Sequence, residues 1–248
     1  MNPLYIFDLD ETTGAYYTYP GVNDIILLRA GFKEILKLNE KGKLEMVIAT
    51  RGKADYVEDI KRNLRERGIN LACKTYSEED VSLGDFFGYY KSYKRILREM
   101  GIDSPAQDSV VIGDLLRIGS NEDYSREEFV ETDFQREDLL LGINYSLNDH
   151  PLPIDGESPV YVVMPRPIVN EDGNGSTLDL MVVLRFLNEM YRLGGNNFEQ
   201  GFEKVNGNLA QKVVSDRLAK RMLGYGHKQK YLIMKGEREH WKPLEKVM

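Results

Sequence analysis

Cysteine and histidine are scarce in this chain: among 248 residues there is one cysteine, Cys73, and three histidines, His150, His227 and His240. A single thiol closes no internal disulfide and builds no thiolate metal site, which suits a reducing compartment. The histidines lie far apart without ligand spacing, so each reads as a surface residue or a satisfied core residue. No glycine-rich loop ends in Lys-Ser or Lys-Thr, which argues against a P-loop kinase or nucleotide hydrolase. No apolar stretch approaches the roughly 18 residues of a membrane span, and Met1-Asn2-Pro3 leads into the first apolar run without a basic start or apolar leader. The expectation is a soluble cytoplasmic protein with no membrane partner. Internal repeats and low-complexity tracts are lacking too.

What is present is an ordinary globular composition, 42% hydrophobic and 29% charged, in a chain long enough to bury a core without staples. The formal net charge of −7 is uneven. From Gln211 to Met248 ten Lys or Arg stand against four Asp or Glu, so this tail carries +6 and the preceding body −13. Such a split implies docking of the tail onto the body, or an anionic partner such as nucleic acid; docking is the favoured reading.

Leu4-Tyr5-Ile6-Phe7, Leu44 to Ala49, Ile69 to Cys73, Ser109 to Ile112 and Val160 to Met164 read as buried strands. Helical periodicity predicts helices from Asn23 or Asp24 to about Glu40, from about Ala54 to Arg67 and from Tyr89 to Met100, with Gly42, Gly68 and Gly101 as stops. Glu11 to Gly21 and Lys74 to Gly88 read as loops. Tyr16, Tyr17 and Tyr19 in the first of these either fold over the neighbouring carboxylates or pack against the next helix, the second reading being slightly favoured. Strands alternating with amphipathic helices argue for an α/β fold, a parallel sheet flanked by helices on both faces.

Leu115 to Ser158 breaks the rhythm and reads as an insertion ahead of the fifth strand. Helices follow at Thr177 to Leu193, capped by Ser176 or Thr177, at Asn196 to Val205 and at Leu209 to Leu223, with a short strand at Lys230 to Met234. The division expected is an α/β core over 1–169, carrying the insertion at 115–158, and a mainly helical C-terminal extension over 170–248 packed on that core.

The first strand stops at Asp8-Leu9-Asp10-Glu11-Thr12-Thr13. In an extended chain Asp8 and Asp10 point to one side, and two carboxylates that close need a cation or a proton. Ligands of parallel sheets bind beyond the carboxyl ends of the strands. That rule gathers Asp8, Asp10, Thr50 and Asp114, all polar residues that end apolar runs.

This set resembles the four motifs of the haloacid dehalogenase superfamily: Asp8-Leu9-Asp10-Glu11-Thr12 after a strand, Thr50 closing the second strand, a lysine at the head of a later helix, and Gly113-Asp114 closing another strand. The likeness covers about Pro3 to Asp114 and the fifth strand. It implies a Rossmann-like core and a Mg²⁺-dependent phosphohydrolase whose partner is a phosphorylated substrate. By the resemblance Asp8 attacks phosphorus and forms an aspartyl-phosphate, while Asp10 protonates the leaving oxygen and later draws the proton from water. Thr50, with Arg51 beside it, and Lys91 would bind the phosphoryl group, and Lys91 is preferred to Lys94 for its place nearer the helix start. Mg²⁺ would be held by the Asp8 carboxylate, the backbone carbonyl of Asp10 and Asp114.

One departure is plain. Many members place a second acid four or five residues after the last motif's first, but here the next carboxylates, Glu122 and Asp123, come late. The gaps between Asp10 and Thr50 and between Thr50 and Lys91 are too short for a cap domain, which suits a large substrate such as a phosphoprotein or a nucleic-acid end. If the 115–158 insertion and the later helices cover the mouth instead, a small metabolite fits equally. The alternative function is a non-catalytic binding or scaffold protein that keeps the fold and uses its basic C-terminal segment to hold an anionic partner.

Overall fold

The computed structural model describes residues 2–10, 12–19, 22–81, 93–113, 139–142, 159–163, 168–169, 175–176, 179–201, 204 and 231–234. The chain opens with β1 (Leu4–Phe7), followed by a hairpin of β2 (Gly14–Tyr19) and β3 (Val22–Leu28). Then come α1 (Phe32–Glu40), β4 (Glu45–Ala49), α2 (Ala54–Glu66), β5 (Lys74–Tyr76) and the short α3 (Glu78–Val81). Next are α4 (Lys94–Glu99), α5 (Pro105–Asp108), β6 (Ser109–Gly113), β7 (Leu139–Gly142) and β8 (Val160–Val163). A two-residue pair, β9 (Ile168–Val169) and β10 (Gly175–Ser176), precedes α6 (Leu180–Leu193) and the last strand, β11 (Tyr231–Met234).

Seven of these strands form one sheet in the order β11-β7-β8-β6-β1-β4-β5. Five neighbours, β8, β6, β1, β4 and β5, pair in parallel, while β7 runs antiparallel to both β8 and β11. The α/β reading therefore holds. Within the parallel part the chain leaves β1 outward to β4 and β5, then returns to β6 on the other side of β1. The strand order thus reverses between β1 and β6, the kind of place where open α/β sheets bind ligands beyond the carboxyl ends of their strands.

The register sets the core. Tyr5 and Phe7 lie level with Met46 and Ile48 on one side and Val110 and Ile112 on the other, and these in turn with Val160 and Val162. That face shares one apolar cluster with Phe32, Ile35 and Leu36 of α1 and Val183, Leu184 and Leu187 of α6. Each such large side chain taken from water contributes roughly 1.5–3 kcal/mol. Leu4 and Ile6 on the opposite face of β1 are buried as well, so the central strand is covered on both faces. α6 is tied to the sheet by the Tyr5 hydroxyl, which donates to Asn188 Oδ1 at 2.6 Å. Its start is fixed against α1: Asp179 Oδ1 caps it by accepting from Met181 N at 2.7 Å, and Leu180 N donates to Ala30 O. A Cβ on Gly31, whose φ is +82°, would stand 2.3 Å from that cap oxygen, so glycine is required at this approach.

Several expectations are corrected. Residues 14–19 and 22–28 form the antiparallel pair β2–β3 rather than a loop and the start of a helix, and α1 begins only at Phe32. The aromatic and β-branched run from Tyr16 to Ile26 suits strands, and the helical spacing of Ile25, Leu28 and Phe32 is incidental to it. The third strand is Lys74–Tyr76, not Ile69 to Cys73. Ile69 and Leu71 are buried without being strand, Ile69 N closing the end of α2 on Leu64 O. Asp179, not Ser176 or Thr177, caps α6, and Ser176 lies in β10. The expected insertion supplies β7, while the short strand expected at Lys230 to Met234 is present as β11, paired with β7. Residues 198–201 and 204 are helical as expected, whereas Leu209 to Leu223 lies outside the described residues. Among the described residues no helix is long and apolar enough to cross a membrane.

Candidate active site

The end of β1 lies at the reversal of strand order. Asp8 N donates to Ile112 O at 2.8 Å, continuing the β1–β6 ladder one residue past the strand, and the Asp8 side chain is largely buried at 9% exposure. One of its carboxylate oxygens accepts the N–H of Leu9 at 2.8 Å. The chain then curls: Thr13 returns both its N–H and its hydroxyl to Leu9 O, at 3.0 and 2.7 Å. Leu9 is fully buried, so the turn that carries the two aspartates is anchored from below by an apolar side chain.

The following hairpin clamps the same turn. Arg29, at the exit of β3 and only 1% exposed, donates Nε to Thr12 O at 2.6 Å, and its backbone N–H goes to Thr13 O at 3.0 Å. A buried guanidinium is costly unless its donors are used, which they are here in part by a main-chain carbonyl. The Thr12 hydroxyl is buried and makes no hydrogen bond among the described residues. Tyr16 is buried in the core cluster with its hydroxyl 3.0 Å from Thr13 Oγ1. Burial raises its pKa above the ordinary tyrosine value against the opposing pull of that hydrogen bond, and the negative charge of Asp10 raises it further. Tyr16 is thus buried in the core and also lies in the field of Asp10, while the side chains of Tyr17 and Tyr19 lie outside the described ones.

Thr50 closes β4, 1% exposed, with its N–H on Tyr76 O at 2.9 Å. Its Oγ1 accepts from Gly52 N at 3.0 Å and donates to Asp10 Oδ2 at 3.5 Å. The other oxygen of Asp10, Oδ1, accepts from the hydroxyl of Tyr56, in the first turn of α2. Burial first, and then the negative charges of Asp10 and Asp8, push the Tyr56 phenol well above its usual range, so it is a neutral donor. Asp8, Asp10, Thr50 and Tyr56 thus meet where β1 and β4 end. Gly52 permits this: a Cβ there would come within 2.3 Å of the Tyr56 ring.

Of the residues singled out in the sequence, Asp8, Asp10 and Thr50 are brought together. Arg51 follows Thr50 in the turn to α2, half-buried. Lys94 is exposed at the first position of α4. Lys91, Asp114, Glu122 and Asp123 lie outside the described residues, although Gly113, the residue before Asp114, ends the strand beside β1. Tyr56 was missed. Its only signal is its place in the first turn of the helix after Thr50-Arg51-Gly52, where a long side chain reaches back over the strand ends.

The oxygens here, carboxylate and carbonyl, are of the hard kind that Mg²⁺ favours, and the Asp10 carboxylate is engaged by the hydroxyls of Thr50 and Tyr56. Among the described residues no three acids, histidines or cysteines cluster as a metal group. No family model matches the chain, and no curated protein matches it in sequence.

Proposed function

We propose that this protein is a phosphohydrolase of the haloacid dehalogenase type, with a Rossmann-like core, working on a phosphate ester through Asp8. The observation that carries the proposal is the convergence of Asp8, Asp10 and Thr50, from two strand ends, at the point where the strand order of the sheet reverses.

In this reading the Asp8 carboxylate attacks phosphorus, the bond to the leaving oxygen breaks, and Asp10 delivers a proton to that oxygen. Asp10 then takes a proton from the water that attacks the aspartyl-phosphate, releasing inorganic phosphate and restoring Asp8. Thr50 Oγ1 and the neighbouring main-chain N–H groups orient the phosphoryl oxygens, with Arg51 and Lys91 supplying positive charge. Asp8, the carbonyl of Asp10 and Asp114 would hold Mg²⁺, whose charge offsets the repulsion between carboxylates and phosphate. Leu9 and the Arg29 clamp keep the turn in place throughout.

A panel of phosphate esters spanning sugars, nucleotides, phosphopeptides and phosphorylated DNA ends, assayed with and without Mg²⁺, tests the reading. Mg²⁺-dependent phosphate release that falls by about a thousandfold or more in Asp8→Asn is expected, since loss of a nucleophile removes the covalent route. Undiminished release by Asp8→Asn protein would overturn it.

A further inference from the structure

Asp10 is held from two sides, by groups that belong to different elements. Thr50 Oγ1, at the end of β4, reaches Oδ2, and the Tyr56 hydroxyl, in α2, reaches Oδ1. Thr50 already has a role at the phosphoryl group in the proposed chemistry. Tyr56 has none, yet its ring is seated over Gly52, where only a missing Cβ leaves room for it.

We propose that Tyr56 is the positioning residue for the proton-transferring carboxylate, and that the site is accordingly suited to alkyl phosphate monoesters, whose leaving oxygen must be protonated as it departs. The inference rests on the phosphohydrolase reading. Each carboxylate oxygen has two lone-pair sites. The hydroxyl of Tyr56 occupies one on Oδ1 and fixes the plane of the carboxyl group, also when the Thr50 hydroxyl turns to a phosphoryl oxygen. The plane so fixed sets the direction in which the carboxyl proton is carried to the leaving group and later collected from water. The step balances simply: the P–O bond pair leaves with the alkoxide oxygen, which takes the proton of Asp10, and the Asp8–P bond replaces it. A carboxyl group free to rotate would spend much of its time with that proton aimed elsewhere, and misplacement by about 1 Å costs on the order of a hundredfold.

Tyr56→Phe removes one oxygen and keeps the ring. Its kcat/KM is to be measured on an alkyl ester, glycerol 2-phosphate, and on 2,4-dinitrophenyl phosphate, whose leaving group departs without a proton. The inference predicts a loss of roughly tenfold or more on the alkyl ester and less than about twofold on the aryl ester, as general acid assistance is worth about 10²–10⁴ where it operates. On an Asp10→Asn background the same substitution should cost nothing further on either ester. Equal losses on both esters, or no loss on the alkyl ester, would overturn the role of Tyr56 while leaving the phosphohydrolase reading intact. Wild-type protein inactive on both, or Asp8→Asn protein as active as wild type, would remove the reading and the inference together. Melting temperatures of all variants show whether a loss comes from unfolding, and Tyr56→Leu, which keeps bulk without the ring, must reproduce the ester selectivity of Tyr56→Phe.

Discussion

Asp8 and Ile112 are joined main chain to main chain, the N–H of the first donating to the carbonyl of the second at 2.8 Å. The aspartate at the end of β1 is therefore placed by the sheet itself rather than by a loop. Pairing between parallel strands holds backbone positions far better than a surface turn does, and in the proposed reaction the attacking carboxylate would gain from being fixed.

From this follows the behaviour of Asp8→Asn. The amide oxygen can still accept the N–H of Leu9, so the variant should stay folded, its stability within about 0.5–1 kcal/mol of wild type. Thermal melts should coincide within a few degrees while phosphate release disappears.

Gly52→Ala tests the seat of Tyr56 by another route. The added Cβ would press on the ring at 2.3 Å, and the ring must move. Overpacking of this kind costs about 1–3 kcal/mol. The variant should also show the ester selectivity of Tyr56→Phe, losing kcat/KM on glycerol 2-phosphate and not on the dinitrophenyl ester.

Leu187→Ala should unfold the protein more readily. The side chain is fully buried in the cluster that joins α6 to the sheet. A loss of roughly 2–5 kcal/mol, or a melting temperature lower by about 5–15 °C, is expected in calorimetry.

Glu99 carries the pH dependence that can be assigned. Hydrogen bonds from Lys74 first, then Arg95 and Tyr76, hold its carboxyl down at about 2. The folded pKa lies below the ordinary carboxylate value of 4.5, so the stabilisation is complete above that value and is lost as pH falls toward about 2. An NMR titration of the Glu99 carboxyl should give a midpoint near 2. Glu99→Gln should flatten the stability profile between those two pH values.

Cys73 should be slow to react. Burial pushes its thiol up to about 12, with Lys61 pulling the other way, so little thiolate exists near neutrality. Labelling by iodoacetamide at pH 8 should be slow in native protein and fast in urea.

The polar residues that end apolar strands were legible in the sequence because hydrophobic runs mark buried strands and the first polar residue marks their exit: Asp8, Asp10 and Thr50 were found this way. Tyr56 was not, since its contact with Asp10 joins residues 46 apart in the chain, and its place in the first turn after Thr50-Arg51-Gly52 is too weak a signal to name that partner. The hairpin was hidden because Ile25, Leu28, Phe32 and Ile35 repeat at helical intervals although a turn at residues 29–31 separates strand from helix. Leu139-Leu140-Leu141 sits amid charged sequence and is too short for periodicity to distinguish strand from buried helix.

The position of β11 beside β7 bears on how the polypeptide is made. A ribosome delivers Leu139-Leu140-Leu141-Gly142 well before Tyr231 emerges. Until then the nascent chain offers an oily, unpaired border to any neighbour. Shortened versions that stop ahead of Tyr231 should accordingly precipitate or associate with themselves during expression, even though every side chain discussed at the turn from Asp8 to Thr13 is present in them.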